Sequence, residues 1–278
     1  MSYKTILVHV DGGPAAEQRF RVAADVALSF DAHLTGCAPT GISRFIPPDV
    51  IVREGTALAS FCAAMRANAA QSLQVFSRIV SEQGLLAAEE RVIDDDASGV
   101  ALHARYADLV VLSQPDRSLP TRGSASDLPG YLLRECARPL LVVPRSARGI
   151  GIQGKALLAW DGSIEATRAI TGALSLLRSA SSVSVMSVHY RHDRPDNEHG
   201  ALCAPMVHYL QRHGVKARAR YHPDTVDVGT ALLSAADDEQ AGLLVMGGYG
   251  RSPLRESVLG GVTATVVKSM TLPVLLAH

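Results

Sequence analysis

Short apolar runs alternate with longer amphipathic stretches along the whole chain. In the second half the apolar runs lack polar alternation, which is typical of strands covered by helices on both faces. Between the first two runs, Ala166, Ile170, Ala173 and Leu177 recur at three- and four-residue steps. This spacing predicts a helix over residues 163–179, with Ser163 as its N-cap. The predicted strands of the second half are 156–160, 183–189, 215–221, 243–246 and 274–277.

The two halves of the chain repeat the same order of patterns. An apolar run ends in Asp11-Gly12 in the first half and in Asp161-Gly162 in the second, and each is followed by an amphipathic stretch. Later, ADLVVLS corresponds to AGLLVMG, and RPLLVVP to LPVLLAH. The extra length of the first half falls in residues 39–60. A repeat of this kind predicts two domains, 1–146 and 155–278, joined by the Gly-rich, basic segment 144–154.

The alternation of strands and helices predicts an α/β fold. Each half is expected to form a doubly wound domain, with a five-stranded, mainly parallel sheet between helices. Such sheets bind ligands beyond the carboxyl ends of their strands, near the point where the strand order reverses. Candidate site residues are therefore those that directly follow a strand.

Three stretches of the second half meet this condition. Asp161 follows the first strand and can accept hydrogen bonds from a ribose hydroxyl or an adenine amino group, although Asp-Gly-Ser also begins helices for local reasons. Glycines at 247, 248 and 250 follow the fourth strand and allow a close backbone approach to a ligand. Gly260-Gly261 opens the last helix, where free N–H groups and the helix dipole favour phosphate.

The common catalytic and nucleotide motifs are missing from the sequence. No phosphate-binding G-x-x-x-x-G-K-[ST] or nucleophilic G-x-S-x-G occurs, and Pro253 stands where a dinucleotide fingerprint starting at Gly248 needs its third glycine. No nucleophile has an evident base beside it. Catalysis beyond slow ATP hydrolysis is therefore not expected.

The glycine spacing, together with the Asp-Gly turns, resembles the universal stress protein family, whose ATP-binding members carry G-2x-G-9x-G-[ST]. The resemblance implies the adenine nucleotide alpha-hydrolase-like fold and ATP or AMP as ligand, with Mg²⁺ as the ion that accompanies ATP. It places Asp161 near the ribose or adenine and Val188, at the end of the second strand, on the adenine. The resemblance assigns the remaining contacts to Met246, Gly247 and Gly250 at the ribose and phosphates, and to Gly260, Gly261 and Val262 at the phosphates.

The chain departs from the family pattern at two places. Gly261 stands where the ATP binders have Ser or Thr, and the nearby Thr263 is the candidate to replace the missing hydroxyl. In the first half no G-x-x-G follows the fourth strand, and Asp116 and Asp127 would repel phosphate, so this half is not expected to bind ATP. Two functions stay open: a nucleotide-responsive stress protein, and a scaffold or small-molecule binder with a retired nucleotide site.

Charge and composition narrow the range of partners. The chain has 27 Lys and Arg and 27 Asp and Glu, so no net charge draws it to nucleic acid or an anionic membrane. It has neither a signal peptide nor an apolar run long enough to span a bilayer, which predicts a cytoplasmic protein. The four scattered cysteines predict buried thiols, and the histidines show no metal-ligand spacing. Family members pair through their last strands, so we expect a pseudo-dimeric monomer or a homodimer, with an unidentified protein partner.

Overall fold

The computed structural model describes residues 2–44, 56–86, 88–116, 127–145, 154–188, 199–222, 227–249 and 261–278. The chain divides into two compact units, Ser2–Leu140 and Leu141–His278. Within the described ranges, no helix combines the length and the apolar character needed to cross a membrane.

The first unit is a parallel sheet with helices between its strands. Its strands lie in the order β3-β2-β1-β4, so the strand order reverses between β1 and β4. That reversal creates the crevice in which sheets of this kind bind ligands. Its elements are β1 (Thr5–His9), α1 (Ala16–Phe30), β2 (His33–Pro39), a 3₁₀ turn (Ile42–Arg44), α2 (Thr56–Glu82), β3 (Ala88–Ile93), α3 (Ala97–Ala104), β4 (Leu109–Ser113) and α4 (Leu128–Glu135), and β5 (Leu140–Val143) contains the boundary between the units.

The second unit repeats this plan. Its strands lie in the parallel order β10-β9-β6-β7-β8, so the reversal falls between β6 and β9. The predicted fold class, tandem doubly wound α/β, is confirmed. Its elements are β6 (Lys155–Ala159), α5 (Ile164–Ser179), β7 (Ser182–Met186), α6 (His199–Arg212), β8 (Ala217–Arg220), α7 (Val228–Asp238), β9 (Ala241–Gly247), α8 (Val262–Ser269) and β10 (Val274–Ala277).

The predicted elements of the second unit all form, with changes at their ends. The prediction that the second strand reaches Val188 is wrong, because β7 ends at Met186, which pairs with Arg220 at the end of its neighbour β8. The predicted strand 215–221 starts later, since the Val215 N–H donates to the carbonyl of Leu210 and closes the turn after α6. Ser163 is the N-cap of α5, as predicted; its Oγ accepts from the Ala166 N–H at 3.1 Å.

Aromatic packing joins α1 and α2 in the first unit. The rings of Phe20 and Phe76 meet edge to face, with their centroids 5.5 Å apart. Gly36 on β2 makes room for this pair, because a Cβ at that position would lie 2.6 Å from Phe76 Cε1. The strand register and the matching turn after the helix equate these three positions with Val185, Ile170 and Met206 of the second unit.

In the second unit the space between α5 and α6 is an open apolar groove. Its volume is about 390 Å³. Three of its polar groups are engaged within the protein: the Trp160 indole N–H donates to the Leu202 carbonyl, and the hydroxyls of Thr167 and Thr171 donate to carbonyls one turn back, at Ser163 and Thr167. The groove is lined by Trp160, Thr167, Ile170, Thr171, Leu202, Pro205, Met206 and Tyr209.

The thiols of Cys37, Cys62, Cys136 and Cys203 are all buried and free, as their spacing predicts. Burial raises the pKa of the Cys37 thiol to about 12, which keeps it in the unreactive protonated form. Among the described residues no three His, Cys, Asp or Glu side chains are grouped to hold a metal ion.

A polar cluster lies at the carboxyl ends of β1 and β4 in the first unit. The Arg19 side chain, which is 1% exposed, donates to Ser113 Oγ at 2.6 Å and to Asp11 Oδ1 at 3.0 Å. His9 Nδ1 lies 3.3 Å from Asp11 Oδ2. Burial acts to raise the pKa of the Asp11 carboxyl, but the charges of Arg19 and His9 and the hydrogen bonds from Arg19 and Gly13 hold it well below its usual range.

Burial also lowers the pKa of His9 to about 4, against 6.5 for a free histidine, and the charge of Arg19 acts in the same direction. The opposing charge of Asp11 is too weak to reverse this. His9 is therefore neutral in the folded protein at neutral pH. Protonating it means placing a second cation in a buried position beside Arg19.

We predict that His9 makes the first unit acid-sensitive between about pH 6.5 and 4. In this window the unfolded chain binds a proton at position 9 and the folded chain does not, so stability is complete above the window and falls as the pH drops through it. The loss is on the order of 3 kcal/mol at the lower end. Urea denaturation of the wild type and of His9→Asn across this window measures it.

The comparison isolates His9, because the other titrating group of the cluster, Asp11, changes stability mainly at lower pH. The pKa of Asp11 is depressed, so its carboxylate becomes protonated only below this window. We expect His9→Asn to lose less stability than the wild type between neutral pH and the lower end of the window. Equal losses in the two proteins would show that His9 does not carry the effect.

Candidate functional site

The turn after β6 places Asp161 at the edge of the sheet. Gly162 has φ +80°, a left-handed conformation that favours glycine, and it turns the chain from the strand into α5. The Ser163 N–H donates to Asp161 Oδ1 at 3.0 Å, which holds the carboxylate in place. Asp161 is exposed, and within the described part of the chain no cation pairs with it. The second oxygen of its carboxylate is available to a ligand.

The end of β9 lies against the beginning of α5. A Cβ at Gly247 would lie 2.6 Å from the Ala166 nitrogen and 2.8 Å from the carbonyl carbon of Glu165. Real Cβ atoms do not approach backbone so closely, so only glycine fits here. This contact brings the strand end beside the turn that holds Asp161, since Ser163 and Glu165 are both in or next to the first turn of α5.

The chain that follows β9 is tied to the N-terminus of α8. Tyr249, in the left-handed region with φ 58°, donates its N–H to Thr263 Oγ1 at 3.2 Å. Thr263 is 3% exposed. Its hydroxyl therefore anchors the glycine-rich stretch, which is a different task from the replacement of a phosphate-binding hydroxyl considered above.

Gly261 is the N-cap of α8 and leaves the helix without a side-chain cap. The helices α5 and α7 differ, because Ser163 and Asp227 cap them with side-chain oxygens. Among the described residues no side chain caps the first N–H groups of α8, and the positive end of the helix dipole is added to them. Val262 is half-buried as the first residue of the helix.

The other predicted site residues differ in how they are placed. Val188 is half-buried just beyond β7, next to the strand end where the Trp160 N–H donates to the Met186 carbonyl. Met246 is 4% exposed, so its side chain belongs to the core and only its backbone faces the sheet edge. Gly250 and Gly260 lie outside the described residues.

Through these contacts the Asp161 turn lies beside the end of β9, and the end of β9 lies beside the N-terminus of α8. They lie where the strand order reverses between β6 and β9, which is the ligand-binding crevice of a doubly wound sheet. The arrangement offers one carboxylate acceptor and a set of backbone donors. Such a set suits a ligand that carries hydroxyl or amino donors at one end and an anion at the other.

Sequence reasoning missed the cluster of His9, Arg19 and Ser113 in the equivalent crevice of the first unit. A signal was present, because Arg19 falls on the apolar face of α1 with Ala16 and Phe20. A cation on a buried helical face needs a buried partner. The Asp11 carboxylate supplies it.

Comparison with known proteins identifies the second unit. Residues 154–278 match the sequence model of the Universal stress protein family. No curated protein matches the chain in sequence.

Solved structures resemble the chain over nearly its whole length. A universal stress protein from Archaeoglobus fulgidus DSM 4304 is 13% identical, with 99% of this chain and 96% of that chain covered and a TM-score of 0.72. A functionally unknown protein from Pseudomonas aeruginosa PAO1 is 15% identical, with 99% and 92% covered and a TM-score of 0.59. The second unit is a domain of the universal stress protein family, and the chain as a whole has the fold of a universal stress protein of its length.

Proposed function

We propose that the chain is a stress-response protein that binds an adenine nucleotide, ATP or AMP, in its second unit. Asp161 accepts hydrogen bonds from the ribose or adenine, and Val188 packs against the adenine. The backbone at Met246, Gly247 and Gly250 lines the ribose and phosphates. Gly260, Gly261 and Val262 hold the phosphates through their N–H groups.

The observation that carries the proposal is that Asp161 and the N-terminus of α8 both lie where the strand order reverses. Asp161 is exposed and unpaired among the described residues, and the N-terminus of α8 has no side-chain cap. These are an acceptor and a group of donors of the kinds that a nucleoside and a phosphate require. The family to which this unit belongs adds weight to the nucleotide as ligand.

The site favours binding and release over turnover. Its described residues include one carboxylate, Asp161, and no nucleophile that is held by a base. An Mg²⁺ ion bound with ATP would be coordinated mainly by phosphates and water, as this ion prefers. Nucleotide occupancy is thus expected to act as a signal, read through the hydrogen bond between Tyr249 and Thr263 that ties the end of β9 to α8.

Gly247 is a poor place to test the proposal. Any side chain there collides with the backbone of Glu165 and Ala166, so a substitution displaces α5 whether or not the site binds a ligand. Loss of binding in such a variant would report on folding. Asp161 is better suited, because it is exposed and its hydrogen bond to Ser163 survives replacement by Asn.

We predict that Asp161→Asn weakens ATP and AMP binding. The amide keeps the turn but loses the charge that strengthens the hydrogen bond to the ligand, so the dissociation constant should rise roughly tenfold to a hundredfold. Calorimetric titration of the full chain with each nucleotide, with and without magnesium, measures the change and the stoichiometry, for which we expect one nucleotide per chain.

Asp237→Asn is the matched control. This exposed carboxylate lies near the end of α7, just before β9 begins and hence at the opposite edge of the sheet. The control should bind nucleotide like the wild type. If Asp161→Asn binds equally well, the carboxylate does not contact the ligand and the proposed pose is wrong.

We further predict that Gly261→Ser strengthens nucleotide binding. Gly261 has φ −56° and ψ 167°, which serine adopts without strain, and the new hydroxyl stands where ATP-binding family members have one. A hydrogen bond to a charged phosphate should improve the dissociation constant by about tenfold. The same titration measures it, and thermal denaturation without nucleotide separates the small gain from helix capping.

A comparison of ATP and AMP with adenosine, which lacks phosphate, shows whether the new hydroxyl contacts a phosphate. A hydroxyl that contacts phosphate should improve the binding of ATP and AMP and leave the weaker binding of adenosine unchanged. Equal gains for all three ligands would place the effect in the fold of the loop, and no gain for any of them would contradict the proposed phosphate position.

One observation favours a second candidate function, the binding of a small apolar molecule. The groove between α5 and α6 is apolar, and its indole and threonine donors are already used within the protein. It offers little to a charged nucleotide and suits a neutral ligand. This candidate takes the lead if the folded wild type binds neither ATP nor AMP.

We predict that Met206→Trp, which fills this groove, abolishes the binding of a neutral fluorescent probe such as N-phenyl-1-naphthylamine. The wild type should enhance the probe's fluorescence in a saturable way. Thermal denaturation of the same variant is the control for its fold. Nucleotide titration does not serve here, because Trp160, which lines the groove, directly follows β6 and precedes Asp161. Unchanged probe binding in Met206→Trp would exclude the groove as its site.

A further inference from the structure

The ligand crevice of the first unit lies between the ends of β1 and β4, where the strand order reverses. Arg19 reaches into it from the first turn of α1. Its guanidinium bridges the two strand ends, with Nη1 on Ser113 Oγ at 2.6 Å and Nη2 on Asp11 Oδ1 at 3.0 Å. The Arg19 side chain is 1% exposed, so protein surrounds it.

The second unit keeps the carboxylate but lacks the arginine and the serine at the matching positions. With Asp11 set against Asp161, Arg19 corresponds to Ala169, which is fully buried on α5. With the fourth strands aligned, Ser113 corresponds to Gly247. The carboxylate after the first strand therefore pairs with a guanidinium in the first unit, where its side chain is still 43% exposed, and has no cation partner among the described residues of the second.

Two further features distinguish the crevice of the first unit from that of the second. The Nε of Arg19 is buried and has no hydrogen-bond partner within the described ranges, so the guanidinium is held through its two Nη atoms. The N-terminus of α4, which matches that of α8, is capped by Asp127, whose carboxylate accepts from the Gly130 N–H at 3.1 Å. A negative side chain thus stands where a phosphate would bind.

We propose that Arg19 is the built-in occupant of the first unit's crevice. Its guanidinium N–H groups occupy the position that the hydroxyl or amino donors of a ligand would occupy beside Asp11. Arg19 thereby closes this unit to external ligands. The two units then share one frame but differ in occupancy, one filled permanently by its own side chain and the other available to a ligand. This inference concerns the first unit and does not depend on nucleotide binding by the second.

Removal of the occupant should open the crevice to a ligand of the same shape and charge. In the full chain, Arg19→Ala leaves Asp11 without its guanidinium partner and next to an empty space of guanidinium size, while His9 and the Gly13 N–H stay in contact with the carboxylate. We expect about 20 mM guanidinium chloride to raise the thermal midpoint of this variant by about 2–4 °C over the same concentration of sodium chloride. The wild type, whose crevice is filled, should show no rise.

Two controls identify the crevice as the binding place. Urea has the same planar shape without the charge and should not stabilise Arg19→Ala. The double variant Asp11→Asn with Arg19→Ala lacks the carboxylate and should not respond to guanidinium. If Arg19→Ala folds only with help, recovery of folded protein in guanidinium but not in sodium gives the same answer.

Failure to respond has a clear meaning. A folded Arg19→Ala that guanidinium does not stabilise, or a double variant that responds equally, would overturn the proposal. So would a nucleotide bound beside Asp11 in the wild type. Loss of nucleotide binding in Asp161→Asn tests the second unit alone and leaves this result untouched.

Discussion

The contact between a strand end and the first turn of a helix governs both units of this protein. In the second unit β9 ends so close to α5 that only Gly247 fits, and this closeness sets the Asp161 turn beside the chain that leads to α8. In the first unit the equivalent junction is held by Arg19, which links Ser113 to Asp11. The first of these junctions is closed by backbone contact, and the other by an ion pair whose arginine is buried.

This difference turns a repeated fold into two unequal units. Tight backbone contact needs no side chain and leaves the carboxylate of Asp161 without a cation partner among the described residues, whereas the carboxylate of Asp11 is paired with Arg19. The two units also differ in how the space between their first two long helices is filled. The Phe20 and Phe76 rings fill the space above Gly36, while Ile170 and Met206, above Val185, border an open groove. In the first unit, side chains occupy both the strand reversal and the space between the helices. In the second unit, Asp161 at the strand reversal is exposed and the space between the helices is a groove.

The glycines of the second unit have more than one physical cause. Gly162 is needed for its left-handed backbone, Gly247 for close packing, and Gly261 leaves a helix end uncapped. Gly162 and Gly247 shape the turn and the strand end, and only Gly261 has a part in the proposed phosphate contact. Thr263, which ties Tyr249 in place, has a structural role.

The sequence by itself determined the class of fold and the repeat. Local patterns carry this information: apolar runs become buried strands, and Ser163 caps α5 because its side chain reaches an N–H three residues away. The end of β7 depended on the length of its neighbour β8, which no local pattern records. The pairing of Arg19 with Asp11 and Ser113 and the collision that reserves position 247 for glycine were decided by tertiary structure alone. They depend on distances between elements that only packing brings together.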